Sequence, residues 1–478
     1  MQKTQLDSWK PRGYQLQGLK LALAQACLGL LMAPGLGKTS IVYMLHTILK
    51  SKGFIKRTLV ICPIRPAYRV WPHQKDKFQE FAHLKVNVLH GADKEAQLND
   101  NEADIYVVNP EGLPWLLGAT KDSKGKLIVH KERLAWLKKY FDVLVVDEST
   151  KFKNPQTSRF KLLRQFVKFF KRRYILTGTP TPKGLMDLFG QIYILDEGAS
   201  LGSYITHYRT QYFIPSGFGG YDWQPQPDAE RRIAEKIAPL TYRVGAKGNI
   251  DLPEVLFDDI FVDLPPAARK IYNSMEDQLV AELEAGVVVA ANAAVASSKC
   301  RQVANGGIYN EDGTHAYVHD AKYEALADLI EQLQGEPLLV TYEFQFDAEA
   351  IGKIQVDGQG IRSISTGNAK RDDANTVLFS QGKLAAVMGQ PQSISLGIDG
   401  LQDNCFHIAM VGVTWKLQDY IQVIDRIKRS GNKSKHVIVH RIMARDTVDE
   451  RVLGVLHQRD ANQNSFMEVL QALRKAAK

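Results

Sequence analysis

The sequence predicts an α/β protein organised around parallel β-sheets in two successive lobes, and three observations predict it. Short apolar runs rich in β-formers recur along the chain, each with turn residues or charged patches at its carboxyl end, as buried parallel strands require. Between them lie helical patterns: Ile41, Met44, Leu45, Ile48 and Leu49 are spaced i, i+3, i+4 and make one apolar stripe. The strand series then gives way to a mainly helical stretch from about Ala267 to Gln334 and starts again beyond it.

Taken in order, strands are expected at Leu28 to Met32, Thr58 to Cys62, Asp104 to Asn109, Val143 to Val146 and Tyr174 to Thr177. In the second lobe they are expected at Pro337 to Thr341, Leu384 to Met388, His407 to Val411 and His436 to Ile442. The expected lobes are residues 1–245 and 246–478. Between the two strand series, Ile214 to Pro227 is dense in glycine, proline and aromatic residues and reads as a loop or irregular hairpin.

A chain of 478 residues suggests two to four domains, and 45% hydrophobic with 24% charged residues excludes wholesale disorder and collagen-like repeats. Four scattered cysteines, Cys27, Cys62, Cys300 and Cys405, form no C-x-x-C pair, so neither a zinc ribbon nor a disulfide framework is supported. Cys62, Cys300 and Cys405 read as packing residues, and a reducing cytoplasm is expected. The longest apolar run, Leu21 to Pro34, is broken by Gln25 and too short to span a bilayer, so neither export nor membrane insertion is expected. Sixty-one Lys and Arg against 52 Asp and Glu give +9, which points to a polyanionic partner. No acidic residue occurs from Ser8 to Lys75 or from Lys151 to Met186, so positive charge gathers on particular segments.

Two segments carry phosphate chemistry. The run Leu28 to Met32 leads through PGLGKTS into a helix. Gly35 and Gly37 let backbone N–H groups of the Gly35, Leu36 and Gly37 loop approach phosphates, and the helix N-terminus favours their charge. Lys38 can reach the β and γ phosphates, Thr39 can ligate Mg²⁺, and Ser40 follows in the first turn. Met32 stands where the full G-x-x-x-x-G-K-T pattern has its first glycine. Downstream, VLVVDEST ends a buried strand in two carboxylates: Asp147 is placed to hold Mg²⁺, and Glu148 to orient and polarise the attacking water.

The order of segments resembles helicase superfamily 2, specifically the compact Swi/Snf-type DNA-dependent ATPases that bacteriophages and bacteria encode. The matching segments are PRGYQLQGL (Pro11 to Leu19), LVICPIRPAYRVW (Leu59 to Trp71), VVNPEGL (Val107 to Leu113), DESTKFKN (Asp147 to Asn154) and LTGTPTPKGLMDLFGQIYIL (Leu176 to Leu195). In the second lobe they are LLVTYEFQFD (Leu338 to Asp347), SISLGIDGLQ (Ser393 to Gln402) and WKLQDYIQVIDRIKRSGN (Trp415 to Asn432). Departures are Met32, Pro34 before the glycines, Ser149 and Thr150 where such boxes end in His, and Asp425 where glycine is usual.

The resemblance implies two RecA-like lobes of the P-loop NTPase class with helical insertions. It implies Gln15 as an adenine-reading residue, Gly397 and Asp399 near the nucleotide, and Arg426 and Arg429 as paired arginine fingers, with Gln422 on the same face. Three residues apart, the two arginines share a face if helical, and their fixed charge suits a transferring phosphoryl group. A nucleic-acid strand is expected over Pro63, Arg65, Asn109, Glu111 and Thr179 in lobe 1 and Phe344, Gln345 and Ser395 in lobe 2. Lys151 and Lys153 read equally as strand contacts or solvated side chains. The usual His contacts coupling threonines, here Thr177 and Thr179, so Ser149 and Thr150 leave the coupling route open.

The implied activity is ATP- and Mg²⁺-dependent movement of a monomer along duplex or branched DNA, in a bacterial host's cytoplasm if phage-encoded. The alternatives are an RNA-dependent ATPase or helicase, and an ATP-gated nucleic-acid clamp that does not translocate.

Overall fold

The computed structural model describes residues 6–121, 123, 127–216, 222–245, 252–284, 290–395, 398, 400–429 and 432–476. The chain forms two compact units, residues 1–250 with 461–478, and residues 251–460.

The first unit is built on strands β1 (Cys27–Met32), β2 (Thr58–Ile61), β3 (Val86–Val88), β4 (Ile105–Val108), β5 (Val143–Asp147), β6 (Arg172–Thr177) and β7 (Thr241–Val244), in the order β7-β1-β6-β5-β2-β4-β3. Every pairing is parallel. Five of these strands fall where the sequence places them. β3 has only three residues and β7 carries Tyr242 and Arg243, so neither shows a continuous apolar run. Helices α1 (Gly13–Ala24) and α2 (Lys38–Ser51) cover one side of the sheet, where Leu19, Ala22, Ile41 and Leu45 join a core with Leu28, Leu30, Val60 and Val145. The other face is filled by Leu31, Leu59, Leu144, Val146 and Ile175, packed with the acid-free helix Ser158–Phe166 and with α3 (Leu188–Asp196).

Helix α3 is buried from Leu188 to Leu195 and is apolar nearly all round, as a core helix must be. Gly190 permits its close approach: a Cβ there would stand 2.2 Å from the Phe152 carbonyl oxygen and 2.9 Å from that of Lys153. The expected irregular segment at 214–227 has two arms, Phe213–Ser216 and Asp222–Pro225, paired antiparallel, while residues 217–221 lie outside the described residues. Trp223 of this hairpin packs on the first unit's core with the Arg209 guanidinium 5.5 Å from its ring.

The second unit has strands β8 (Glu254–Val262), β9 (Leu338–Tyr342), β10 (Arg362–Ser363), β11 (Ala386–Gly389), β12 (His407–Val411) and β13 (His436–Ala444), in the order β8-β13-β12-β9-β11-β10. These too pair only in parallel. The long edge strand β8 escapes a sequence reading because Asp258 and Asp259 interrupt its apolar run. Both find partners across the ladder: His440 contacts Asp258 at 2.7 Å, and Arg441 makes two hydrogen bonds to Asp259 at 2.5 and 2.9 Å. Helices α4 (Ala290–Asn305), α5 (Ala321–Leu333), α6 (Gln345–Ile351) and α7 (Leu417–Ile427) occupy the intervals.

Helix α8 (Val448–Ala476) begins in the second unit, but residues 461–478 belong with the first, which corrects an assignment of all of 246–478 to one lobe. The reason is apolar: Phe466, Met467 and Leu470 lie in the first unit's core, and the Ser465 hydroxyl bonds Glu230.

Because the collision at Gly190 is with backbone, Gly190→Ala is expected to destabilise the first unit by about 2–3 kcal/mol, the scale of an overpacked core. Denaturant unfolding of the variant checks this.

Candidate active site

The phosphate loop is shaped by two glycines with left-handed backbone, Gly35 at φ 77° and Gly37 at φ 76°, where a side chain would be strained. Gly37 is also the N-cap of α2, whose first-turn amides lack helical partners and face the loop. The loop is braced from α1. Gln15 accepts a hydrogen bond from the Arg12 amide at 2.9 Å and donates to the Leu36 carbonyl at 3.1 Å. A Cβ on Gly37 would stand 2.4 Å from the Gln15 amide nitrogen. Met32 is the wholly buried last residue of β1, paired with Val244, so strand geometry extends to the position where a glycine was expected. Lys38 Nζ donates to the carbonyls of Met32 at 2.8 Å and Ala33 at 3.3 Å. Thr39 is half-buried. Ser40 is buried, with its hydroxyl accepting from Gln74 at 2.8 Å.

Two strands away, β5 ends in Asp147, whose carboxylate is oriented from both sides. The Trp71 indole donates to Oδ2 at 3.0 Å and the Glu148 amide to Oδ1 at 3.1 Å. Burial pushes the Asp147 carboxyl above the usual carboxylate range, opposed by the Trp71 hydrogen bond and the Lys38 charge. Glu148 sits at φ 52°, a left-handed conformation uncommon outside glycine and asparagine, so the turn aims its carboxylate at an energetic cost. Trp71 was legible only as the end of a matching segment. Its role emerges because it is fully buried with its N–H turned to Asp147.

These donors suit a nucleoside triphosphate with Mg²⁺. The Thr39 hydroxyl and Asp147 carboxylate are hard oxygen ligands, and a divalent cation would offset the desolvation of Asp147. The glycine loop leaves open space at Gly35, with no atom within 4 Å of a Cβ placed there.

Compared with known families, the chain matches the SNF2-related domain over residues 14–306, more than half its length. The chain belongs to this family. As an SNF2-related protein it is a helicase-type ATPase, a hydrolase. Among relatives, it is 29% identical over 452 residues to protein p41 of Acyrthosiphon pisum secondary endosymbiont phage 1, covering 91% of this chain and 93% of p41. It is 24% identical to an ATP-dependent helicase of Mycoplasma genitalium over 94% of this chain, but spans only 41% of that protein. Among solved structures, the Sulfolobus solfataricus SWI2/SNF2 ATPase core in complex with dsDNA aligns over 98% of this chain and 97% of that one, at 19% identity and a TM-score of 0.43.

In this SNF2-related protein other sequence-expected residues gather at the carboxyl ends of neighbouring strands. Pro63 and Arg65 follow β2, Asn109 and Glu111 follow β4, and Thr179 follows β6. Pro63 is buried, Arg65 half-buried and Glu111 exposed, with the Asn109 amide donating to Glu111 at 3.1 Å. Among the described residues, Asn109 Oδ1, Thr179 Oγ1 and Thr181 Oγ1 are buried without a hydrogen-bond partner. Lys153 pairs with Asp187, its Nζ 3.0 Å from the carboxylate.

In the second unit, Gly397 and Asp399 lie outside the described residues. Arg426 donates to the Ser395 carbonyl, and the Ser395 hydroxyl donates to the Gln392 carbonyl, so Ser395 is buried with its hydroxyl turned into the protein. The expectation that Arg426 and Arg429 share a helix face is corrected. Helix α7 ends at Ile427, and Arg429 lies beyond the turn with Nε on the Asp425 carbonyl at 3.3 Å. Gln422 is buried within α7.

The start of α6, with Phe344 as its N-cap and Gln345 as its first residue, is held by a buried polar and ionic relay that sequence reasoning missed. Asp347 Oδ2 accepts from the Glu343 and Phe344 amides at 3.1 and 2.8 Å and from Asn305 at 3.0 Å, while Tyr323 donates to Oδ1 at 2.8 Å. Asn305 accepts from Lys322 at 2.7 Å, and Lys322, fully buried, lies 2.5 Å from Asp449. Phe344 stacks on Phe346 with centroids 5.1 Å apart, and Gln345 is exposed. Among the described residues, no helix is long and apolar enough to cross a membrane.

Burial raises the Asp347 carboxyl to about 6, against its own hydrogen bonds. The folded state therefore holds this proton more tightly than the unfolded chain between about pH 4 and 6, and its contribution to stability falls as pH rises through that window, by up to about 3 kcal/mol. Urea unfolding of the protein and of Asp347→Asn at several pH values checks this: the stability difference, protein minus variant, is expected to shrink from pH 4 to pH 6 and then level off.

Proposed function

We propose that the chain is an ATP-driven translocase that moves along DNA without reading its sequence. The observation that carries this reading is the convergence, at one edge of the first sheet, of a phosphate cradle, a desolvated strand-end carboxylate and a left-handed glutamate. Unsatisfied polar side chains stand at the neighbouring strand ends. Phosphate oxygens of a nucleic-acid backbone would satisfy Asn109 and Thr179, with Pro63, Arg65 and Glu111 around them. Contacts of that kind carry no base information and make affinity strongly salt-dependent. The resemblance of DESTKFKN and RIKRSGN to the DNA-tracking branch favours DNA over RNA.

For hydrolysis, Lys38 leaves the Met32 and Ala33 carbonyls to meet the terminal phosphates, and the α2 amides and glycine loop hold the remaining oxygens. Thr39 and Asp147 would hold Mg²⁺, which supplies positive charge to the phosphate oxygens. Trp71 keeps the Asp147 carboxylate turned to its task. Glu148 orients the attacking water and draws on its proton as the bond to phosphorus forms.

Lys38→Ala is expected to abolish turnover chiefly by weakening ATP binding, whereas Glu148→Gln keeps ATP bound and loses turnover by roughly 10² to 10⁴, the scale of a lost general base. Nucleotide titration and phosphate release separate the two, and normal turnover in Glu148→Gln would remove its assigned role.

Duplex DNA is expected to stimulate turnover more than single strands or RNA, and the protein is expected to strip a third strand from a triplex. Separating strands must overcome roughly 1.4 kcal/mol of stacking per base-pair step, and the hairpin around Ile214 to Pro227 is the one candidate wedge among the described residues. Stimulation by RNA alone, or binding of duplex without triplex displacement, would favour an RNA-dependent enzyme or a static clamp instead.

A further inference from the structure

Gln191 on helix α3 makes three hydrogen bonds in a fully buried position, with both amide protons and the carbonyl oxygen engaged. Its Oε1 accepts from the Ser149 hydroxyl at 2.8 Å, and its Nε2 donates to the carbonyls of Pro180 and Asp187, each at 2.7 Å. Ser149 is completely buried and directly follows Glu148. Pro180 directly follows Thr179, whose amide is tied to Thr177 at 3.2 Å. One carboxamide thus joins the turn that aims the water-orienting carboxylate to the turn that presents Thr179.

The neighbouring contacts make this junction stiff. Gly190 lets α3 press on the carbonyls of Phe152 and Lys153. Lys153 pairs with Asp187 at 3.0 Å, and Asp187 also accepts from the Lys183 amide at 2.8 Å. On the far side, a Cβ on Gly178 would stand 2.8 Å from the Pro34 ring, so the same turn packs on the phosphate loop. A displacement of the Thr179 turn is therefore passed through Pro180 and Gln191 to Ser149. Only glutamine among the natural side chains of this size offers one acceptor and two donors: glutamate lacks both donors, and methionine or leucine lacks all three groups.

We propose that Gln191 is a positioning residue that transmits occupancy of the nucleic-acid surface at Thr179 to Glu148, through Ser149, in place of the histidine that such acidic boxes usually carry. This rests on the reading given under Proposed function. Gln191 touches neither nucleotide nor nucleic acid, so its loss lowers the response to DNA rather than the basal reaction.

The test measures ATP turnover with and without saturating duplex DNA, together with duplex affinity and melting temperature, for the protein, Gln191→Met, Ser149→Ala, their double variant and Ser149→Thr. The stimulation factor is expected to fall about tenfold in Gln191→Met, within the range of couplings between sites. Ser149→Ala should fall in the same direction, and the double variant no further than Gln191→Met alone, because both act in one path. Ser149→Thr, which keeps the hydroxyl, should restore most of the response, and basal turnover and duplex affinity should stay within about twofold throughout. Unchanged stimulation in Gln191→Met, or basal and stimulated turnover falling in equal proportion, would overturn the proposal. Should Gln191→Met fail to fold, an unchanged response in Ser149→Ala would overturn it equally. If duplex DNA does not stimulate the unsubstituted protein, the functional reading itself fails, and the inference falls with it.

Discussion

A parallel sheet delivers the carboxyl end of every strand to one edge, and that constraint governs the first unit. At this edge strand pairing stops while burial does not, so polar groups must be satisfied by side chains arriving from elsewhere. Leaving one buried donor or acceptor unmet costs about 1–3 kcal/mol, several times a typical helix-propensity difference. At several of these strand ends a donor arrives from elsewhere in the sequence: Gln15 to Leu36, Gln74 to Ser40, Trp71 to Asp147, Gln191 to Pro180. The atoms left unmet, on Asn109, Thr179 and Thr181, stand out against this background of satisfied neighbours among the described residues.

The legible part of the protein was the part that local pattern determines. Wholly apolar strands such as Leu59 to Ile61 and Val143 to Val146 could not be mistaken, and neither could a glycine loop feeding a helix with Lys38 at its start. What could not be read depended on partners distant in sequence. Asp258 and Asp259 argue against a strand until His440 and Arg441 are seen opposite them. Arg429 would share the Arg426 face only if the helix continued, and α7 stops two residues short of it. Gln191 lies among the buried apolar residues of α3, and the hydroxyl it meets lies 42 positions earlier, beyond the reach of a local pattern.

In the second unit a fully buried lysine carries part of the polar framework: Lys322 meets the Asp449 carboxylate and the Asn305 amide, which in turn meets Asp347. Ion pairs taken out of water often contribute little net stability, yet removing one partner costs about 3–5 kcal/mol. The arrangement of Lys322, Asp449, Asn305 and Asp347 is thus more a constraint on geometry than a source of stability. It makes the backbone at Glu343 and Phe344 depend on helices α4, α5 and α8 at once.

The chain's return to the first unit has a consequence for biosynthesis. Residues 1–250 emerge from the ribosome without Phe466, Met467 and Leu470, which complete their core. At roughly 5–20 residues per second, the interval needed to make residues 251–460 lasts about 10–40 s. Throughout it the nascent first unit carries an uncovered apolar patch beside Glu230, while the second unit, continuous in sequence, has all its residues in hand before the first does. The order of maturation is therefore the reverse of the order of synthesis, and the half carrying the phosphate loop is the last to be finished.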